Sequence, residues 1–232
     1  MCVCVCVSLC SMRSCVMFVG SPGVGKGTYA RRAARILSFG HVSPGDVLRD
    51  QAKTSSIIEK YLSSGTLVPE ATVFEAVDSK LSQFVHSGVI FDGFPRNYSQ
   101  ALNWIESRQV PDLVVDFKLP ESLLIQKLLG RRVCSQCGNL YNVFDFQQGE
   151  YSMPAMKPKV SRVCDECGGA LVQRSDDTID IITTRLAMHN ETHTELVEYL
   201  KSKSGSFVDF HIKTGIAQLP DLIQLMKTHL KI

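Results

Sequence analysis

Gly20-Ser21-Pro22-Gly23-Val24-Gly25-Lys26-Gly27-Thr28 follows directly on the apolar run Cys15-Val16-Met17-Phe18-Val19. A strand that runs into a glycine-rich turn holding a lysine, with a helix behind it, is built to hold phosphate. Gly23, Gly25 and Gly27 open backbone angles closed to other residues and let main-chain N–H groups converge on one anion. Lys26 adds a point charge that reaches β- and γ-phosphates, and the helix expected over 25–37 aims its positive end at them. The general pattern has Ser or Thr directly after the lysine; here Gly27 intervenes and Thr28 follows. A glycine turn without a ligand is the competing reading, and the strand before and helix after weigh against it.

Away from this turn, short apolar runs alternate with amphipathic stretches. Strands are expected over 15–19, 39–42, 88–92, 113–119 and 206–211. Helices are expected over 25–37, 47–63 with a break near Thr54, 69–85, 97–106, 121–132 and 219–230. A long helix follows residue 173, with Ile179, Ile182, Leu186, Leu196 and Leu200 at core spacing. Ser43-Pro44-Gly45-Asp46 reads as a helix start: Ser43 as N-cap, Pro44 at the first helical position, Asp46 closing a capping-box-like arrangement. Alternating strands and helices imply an α/β fold, a doubly wound parallel five-stranded sheet covered on both faces. A cysteine-bearing insertion occupies 133–173, and its stretch 145–159 is expected to bulge as a loop.

A length of 232 residues suits one such domain with insertions. A net charge of +2 lacks the basic face that a dedicated nucleic-acid binder needs, but a few arginines suffice for a nucleotide. No stretch reaches 18 apolar residues, so no membrane span is expected. The nine cysteines, an odd number, argue against a disulfide framework, and a cytoplasmic protein is expected. Cys2, Cys4, Cys6 and Cys10 crowd an N-terminal extension, 1–12, expected outside the core. It lacks the basic start of a secretory signal, and Met12 is a plausible alternative start.

Chemistry gathers in two further places. Phe91-Asp92-Gly93-Phe94-Pro95-Arg96, with Gln100 beyond, sits at the carboxyl end of an expected strand, where ligands lie in open parallel sheets. Asp92 can organise Mg²⁺ through its waters, Arg96 offers a planar fork for phosphate, and Gln100 can pair its amide with a base edge. A basic set, Arg49, Lys127, Arg131, Arg174 and Arg185, comes from scattered segments. Phosphoryl transfer between two polyanions needs cations between them more than it needs a base.

Taken together, the loop 20–28, Ser43-Pro44-Gly45-Asp46-Val47-Leu48-Arg49, the Asp92–Arg96 run with Gln100, Gly130-Arg131-Arg132, and Arg174-Ser175-Asp176-Asp177 with Arg185 resemble adenylate kinases of the long-lid form. The resemblance covers nearly the whole chain from Met12 onward, in family order. It implies a phosphate-loop core over 13–132 and 174–232, a helical monophosphate-binding insertion over 43–72 and a lid over 133–173. It implies reversible transfer of the terminal phosphoryl group of ATP to AMP, giving two ADP, with Mg²⁺, in a monomer. By that resemblance Gly23, Gly25, Lys26, Gly27, Thr28, Lys127 and Arg131 hold ATP. Pro44, Arg49, Val68, Gly93, Arg96, Gln100, Arg174 and Arg185 hold AMP. Lys26, Asp92, Arg96, Arg131, Arg174 and Arg185 serve catalysis, and Asp176 and Asp177 help hold the closed lid. Two residues depart from the family pattern: Pro44 stands where threonine is usual beside adenine, and Lys127 where an arginine stacks on the ATP base. A kinase of UMP or CMP, or one using GTP as donor, is the near alternative. A zinc-knuckle nucleic-acid-binding protein is the distant one.

Cys134-Ser135-Gln136-Cys137-Gly138 and Cys164-Asp165-Glu166-Cys167-Gly168 are two C-x-x-C-G knuckles, the spacing of a tetrahedral structural zinc site. Four reduced thiols, or two stacked disulfides, is the competing reading. His41, His86, His189, His193, His211 and His229 show no metal or triad spacing. Trp104 is assigned to packing.

Overall fold

The computed structural model describes residues 12–84 and 87–232; Cys2, Cys4, Cys6, Cys10, Val85 and His86 lie outside them. Five strands build one sheet: β1 (Ser14–Gly20), β2 (Gly40–Val42), β3 (Gly88–Asp92), β4 (Leu113–Lys118) and, near the C-terminus, β10 (Phe207–His211). Their spatial order is β10-β4-β1-β3-β2, every pair parallel. The chain lays β2 and β3 on one side of β1 and β4 and β10 on the other. The winding therefore reverses at β1, and its carboxyl end is the place where such sheets bind ligands.

Alternation along β1 feeds two cores. Val16 and Phe18 point into one with Ala30, Ala33, Val115, Phe117, Leu124 and Leu128. Cys15, Met17 and Val19 point into the other with Val42, Phe91, Phe94 and Trp104. Helices α1 (Lys26–Leu37), α6 (Glu121–Leu129) and α8 (Leu219–Leu230) cover the first; α4 (Glu70–Leu81) and α5 (Tyr98–Ser107) cover the second. The long α7 (Ile179–Lys203) serves both, with Ile182 and Leu186 in the first core and Leu196 and Leu200 in the second. Ile179, expected at core spacing, is instead 61% exposed, because it opens the helix beyond the edge of the core. Among the described residues no helix is long and apolar enough to cross a membrane.

Two local expectations are corrected here, at Ser43 and at the end of α6, and the expected break near Thr54 is in place. The helix start at Ser43 is in place, as α2 (Pro44–Ala52) with Pro44 first, but Ser43 makes no side-chain cap bond. Asp46 turns away to pair with Arg31 and Arg49, since two cations offer more than a single backbone N–H. The chain breaks after α2, and Ser55 caps α3 (Ser56–Ser64), its hydroxyl accepting from Ile58 N. The helix expected over 121–132 stops at Leu129. Arg131 pairs with Asn142 across an antiparallel ladder, and the Asn142 side chain donates to the Lys127 carbonyl at 2.8 Å, satisfying a terminal helix acceptor.

That ladder belongs to a small sheet, β5 (Arg131–Cys134) between β6 (Leu140–Asn142) and β9 (Leu171–Val172). The stretch 145–159 is no bulging loop. It holds a hairpin, β7 (Phe146–Gln148) and β8 (Tyr151–Met153), whose Met153 is buried in the first core.

Candidate active site

The turn after β1 wraps the N-terminus of α1. Lys26 Nζ donates to the carbonyls of Gly20 (2.6 Å) and Ser21 (2.9 Å), and no carboxylate among the described residues pairs with it. Burial pushes its pKa down to about 7, against the pull of Asp92. Gly27 stands where the general pattern has a hydroxyl residue, and the reason is space. A Cβ there would lie 2.8 Å from Asp92 Oδ2, so the glycine lets the carboxylate at the end of β3 close on the loop. Burial works against ionisation of Asp92, but His41, whose Nε2 lies 3.5 Å from Oδ2, and Lys26 hold its pKa below the usual carboxylate range.

On one side of this loop lie α2, the Asp92–Arg96 turn and the start of α5. Asn97 caps α5, its Oδ1 accepting from Gln100 N at 2.8 Å. Gln100 is fully buried, and its Oε1 accepts from Arg96 N at 2.9 Å. That bond orients the amide, and its N–H₂ end makes no hydrogen bond among the described residues. Among the described residues the Arg96 side chain makes one bond, Nε to the Gly93 carbonyl at 3.1 Å. Asp46 gathers Arg31, Arg49 and, at 3.4 Å, Arg174. Although burial opposes its ionisation, these guanidinium groups hold Asp46 well below the ordinary carboxylate range.

On the other side the small sheet folds over the loop, bringing Leu140 within 3.4 Å of where a Gly27 Cβ would stand. Arg131 donates to Asp177 through Nε at 2.8 Å and again through its terminal nitrogen. Arg185 donates to Asp176 at 2.8 Å. Burial, with Arg131 and Arg49 adding repulsion, lowers Arg174 to about 9; burial and Arg131 lower Arg185 to about 10 in spite of Asp176. One cleft is thus lined by eight lysines and arginines (Lys26, Arg31, Arg49, Arg96, Lys127, Arg131, Arg174 and Arg185) against Asp46, Asp92 and Asp176. Such an excess of positive charge, most of it partly buried, suits a cleft that receives anions.

At the far end of the lid sheet the sulfurs of Cys134, Cys137, Cys164 and Cys167 lie within 4.8 Å of one another. The Cys134–Cys167 and Cys137–Cys164 separations are 3.4 and 3.6 Å, far beyond an S–S bond, and all four cysteines are free. A zinc tetrahedron with thiolate ligands has edges of about 3.8 Å, so the set fits that metal. Each knuckle closes alike: Gly138 N and Gly168 N donate back to the carbonyls of Cys134 and Cys164, with both glycines at positive φ. Tyr141 supports the site from beneath, donating to Cys164 Sγ at 3.5 Å while accepting from Asp165 N at 2.8 Å.

The adenylate kinase family model matches residues 18–205. The chain belongs to the adenylate kinase family. It is 33% identical over 225 residues to a protein of Plasmodium falciparum named GTP:AMP phosphotransferase, covering 93% of this chain and 97% of that one. Adenylate kinase 1, chloroplastic, of Arabidopsis thaliana is 36% identical over 91% of this chain and 77% of its own. An adenylate kinase of Moorella thermoacetica is 38% identical over 81% and 86%. The fold is accordingly the phosphate-loop α/β fold of that family, and the chain is a nucleoside monophosphate kinase.

Every nucleotide-site residue expected from the sequence lines one cleft of this kinase: Gly23, Gly25, Lys26, Gly27, Thr28, Pro44, Arg49, Val68, Asp92, Gly93, Arg96, Gln100, Lys127, Arg131, Arg174 and Arg185. Three contacts went unread. Arg31 and Asp46 link α1 to α2 through an ion pair. His41 stands against Asp92. His193 on α7 reaches the fully buried Asp116 at 3.0 Å, with His189 packed on it at 4.2 Å between ring centres. Only the last left a trace in the sequence, two histidines four apart on one helix face.

Proposed function

We propose that this kinase moves the terminal phosphoryl group of ATP to AMP, with ATP between the Lys26 loop and the lid and AMP between α2 and α5. One observation carries the reading: Lys26, Arg96 and Lys127, with no carboxylate partner among the described residues, flank a cleft whose Arg31, Arg49, Arg131, Arg174 and Arg185 are held by aspartates. Lys26 is poised for the donor's β- and γ-phosphates. Arg96 and Arg49 take the AMP phosphate, and the free amide of Gln100 meets the adenine edge. Arg131, Arg174 and Arg185 neutralise the charge that spreads over the transferring group, which is where such enzymes gain most. Asp92, kept ionised, would orient the waters of Mg²⁺, which supplies further neutralisation between donor phosphates. The lid covering the loop excludes the water that would otherwise take the phosphoryl group.

Pro44 begins α2 and supplies neither hydroxyl nor N–H, so base selection falls on Gln100. The test is ADP formation over AMP, CMP, UMP and GMP, each with ATP and with GTP. AMP is expected to exceed CMP and UMP by about tenfold or more in kcat/KM, the worth of one well-made polar contact. AMP no better than the pyrimidine nucleotides overturns the assignment. GTP as donor is the second reading, favoured by the relative named GTP:AMP phosphotransferase, and the donor arm decides it.

The four cysteines would hold Zn²⁺ as a structural ion, since a Cys₄ set leaves no open position for chemistry. Cys134→Ser is expected to lower zinc content and Tm before it lowers activity measured in the cold. Protein purified under reducing conditions and found free of zinc by metal analysis sinks the assignment.

A further inference from the structure

The hairpin of β7 and β8 is needed neither for the zinc knuckles nor for the phosphate loop, yet it is firmly placed. It springs from the 26 residues between the knuckles and reaches back to the connection between β10 and α8. Ser152 N donates to the Lys213 carbonyl at 2.8 Å, adding the hairpin's free edge to that connection. Glu150 pairs with Lys213 at 2.5 Å, an exposed contact worth little by itself. Met153 supplies the anchor. Only 4% exposed, it lies 3.4 Å from where a Gly215 Cβ would stand, and its Sδ is 3.9 Å from Lys127 Nζ. The Gly215 carbonyl in turn accepts from the Tyr29 hydroxyl, on the first turn of α1. Lid, phosphate-loop helix and the β10–α8 connection therefore meet around one methionine. Met153, Lys127, Phe144, Gly215 and Ile216 all line the cleft, and Lys127 Nζ donates to the carbonyl of Val24 in the phosphate loop at 3.2 Å.

We propose that this hairpin is a donor-side latch, and that Met153 is a positioning residue that packs on the base of the nucleoside triphosphate and holds the lid to Gly215. The proposal rests on the reading that the donor lies between the Lys26 loop and the lid. A thioether on a flexible stem suits the face of a purine and adapts to its outline. The base end of the cleft then exists only while the hairpin is docked, so donor binding and lid docking favour each other.

The test compares wild-type protein with Met153→Ala and the volume-keeping Met153→Leu, by steady-state kinetics with each nucleotide varied in turn. Tm shifts with donor alone and AMP alone serve as the second readout. Met153→Ala is expected to raise donor KM about tenfold and shrink the donor-induced Tm shift, with KM for AMP and the AMP-induced shift held within about twofold and Met153→Leu close to wild type. The AMP-induced shift shows that the variant is folded. Equal rises in both KM values, or a donor KM that ignores Met153, overturn the latch and leave the kinase reading standing. Wild-type protein that makes no ADP from AMP with any triphosphate overturns the reading beneath it.

Discussion

Lys26→Met is expected to lower kcat about a thousandfold or more while leaving Tm unchanged or raised. The two halves of this expectation come from one geometry. Lys26 is a partly buried cation that, among the described residues, donates only to the Gly20 and Ser21 carbonyls and has no carboxylate partner. Methionine keeps the stem and its packing and removes a charge that burial disfavours, so the empty protein loses little. The transition state loses the one ammonium placed inside the phosphate loop. The same burial gives a pH signature. With the group lowered to about 7 in the empty cleft, donor phosphates raise its pKa back toward the ordinary lysine range. A group whose pKa rises on binding contributes affinity that is fully present below the lower value and lost as pH climbs through the higher one. Donor affinity is therefore highest below pH 7 and declines above it, and binding at pH 8 takes up protons. Isothermal calorimetry in buffers of different ionisation enthalpy reads that uptake directly. A variant with near-wild-type kcat, or donor affinity that rises from pH 7 to 9, removes Lys26 from the phosphate site.

The fold was legible wherever a residue's reason is local. The loop at 20–28 announces itself because its glycines answer a demand made within nine residues, and the two knuckles because ligand spacing is set by one tight turn each. Asp92 and Arg96 were readable because they share a strand end. Asp46 was misread as a cap for the opposite reason. Its partners Arg31 and Arg174 come from 15 and 128 residues away, and a long-range ion cluster leaves no mark in a window of four. The pairing of His193 with Asp116 spans 77 residues and was equally invisible. Helix α6 looked longer than it is because Arg131 and Arg132 have good helix propensity; pairing with Asn142 and the Arg131–Asp177 bond outweighs it. The hairpin at 146–153 was read as loose because its stabilising contacts lie in the β10–α8 connection, some sixty residues on.

Arg96→Ala and Arg185→Ala are expected to cost similar activity and very different stability, and the contrast separates a cation held for a ligand from one held for the fold. Arg96 stands in the open cleft with a single bond from Nε to Gly93 O, so its removal leaves no buried group unpaired. Its loss should lower kcat/KM for AMP by about a thousandfold, the scale of a bidentate phosphate clamp that strengthens in the transition state, with Tm shifted by less than about 2 °C. Arg185 is paired with Asp176, whose side chain is 8% exposed. Removing it strands a buried carboxylate, which costs about 3 kcal/mol and lowers Tm by roughly 10 °C for a chain of this size. Near-saturating AMP should restore part of the stability of Arg185→Ala only if the phosphate still finds Arg96, because ligand binding stabilises by mass action. Steady-state kinetics and thermal melts with and without AMP measure all four quantities. If Arg96→Ala melts as early as Arg185→Ala, Arg96 is a structural residue; if it keeps its AMP kinetics, the acceptor phosphate lies elsewhere.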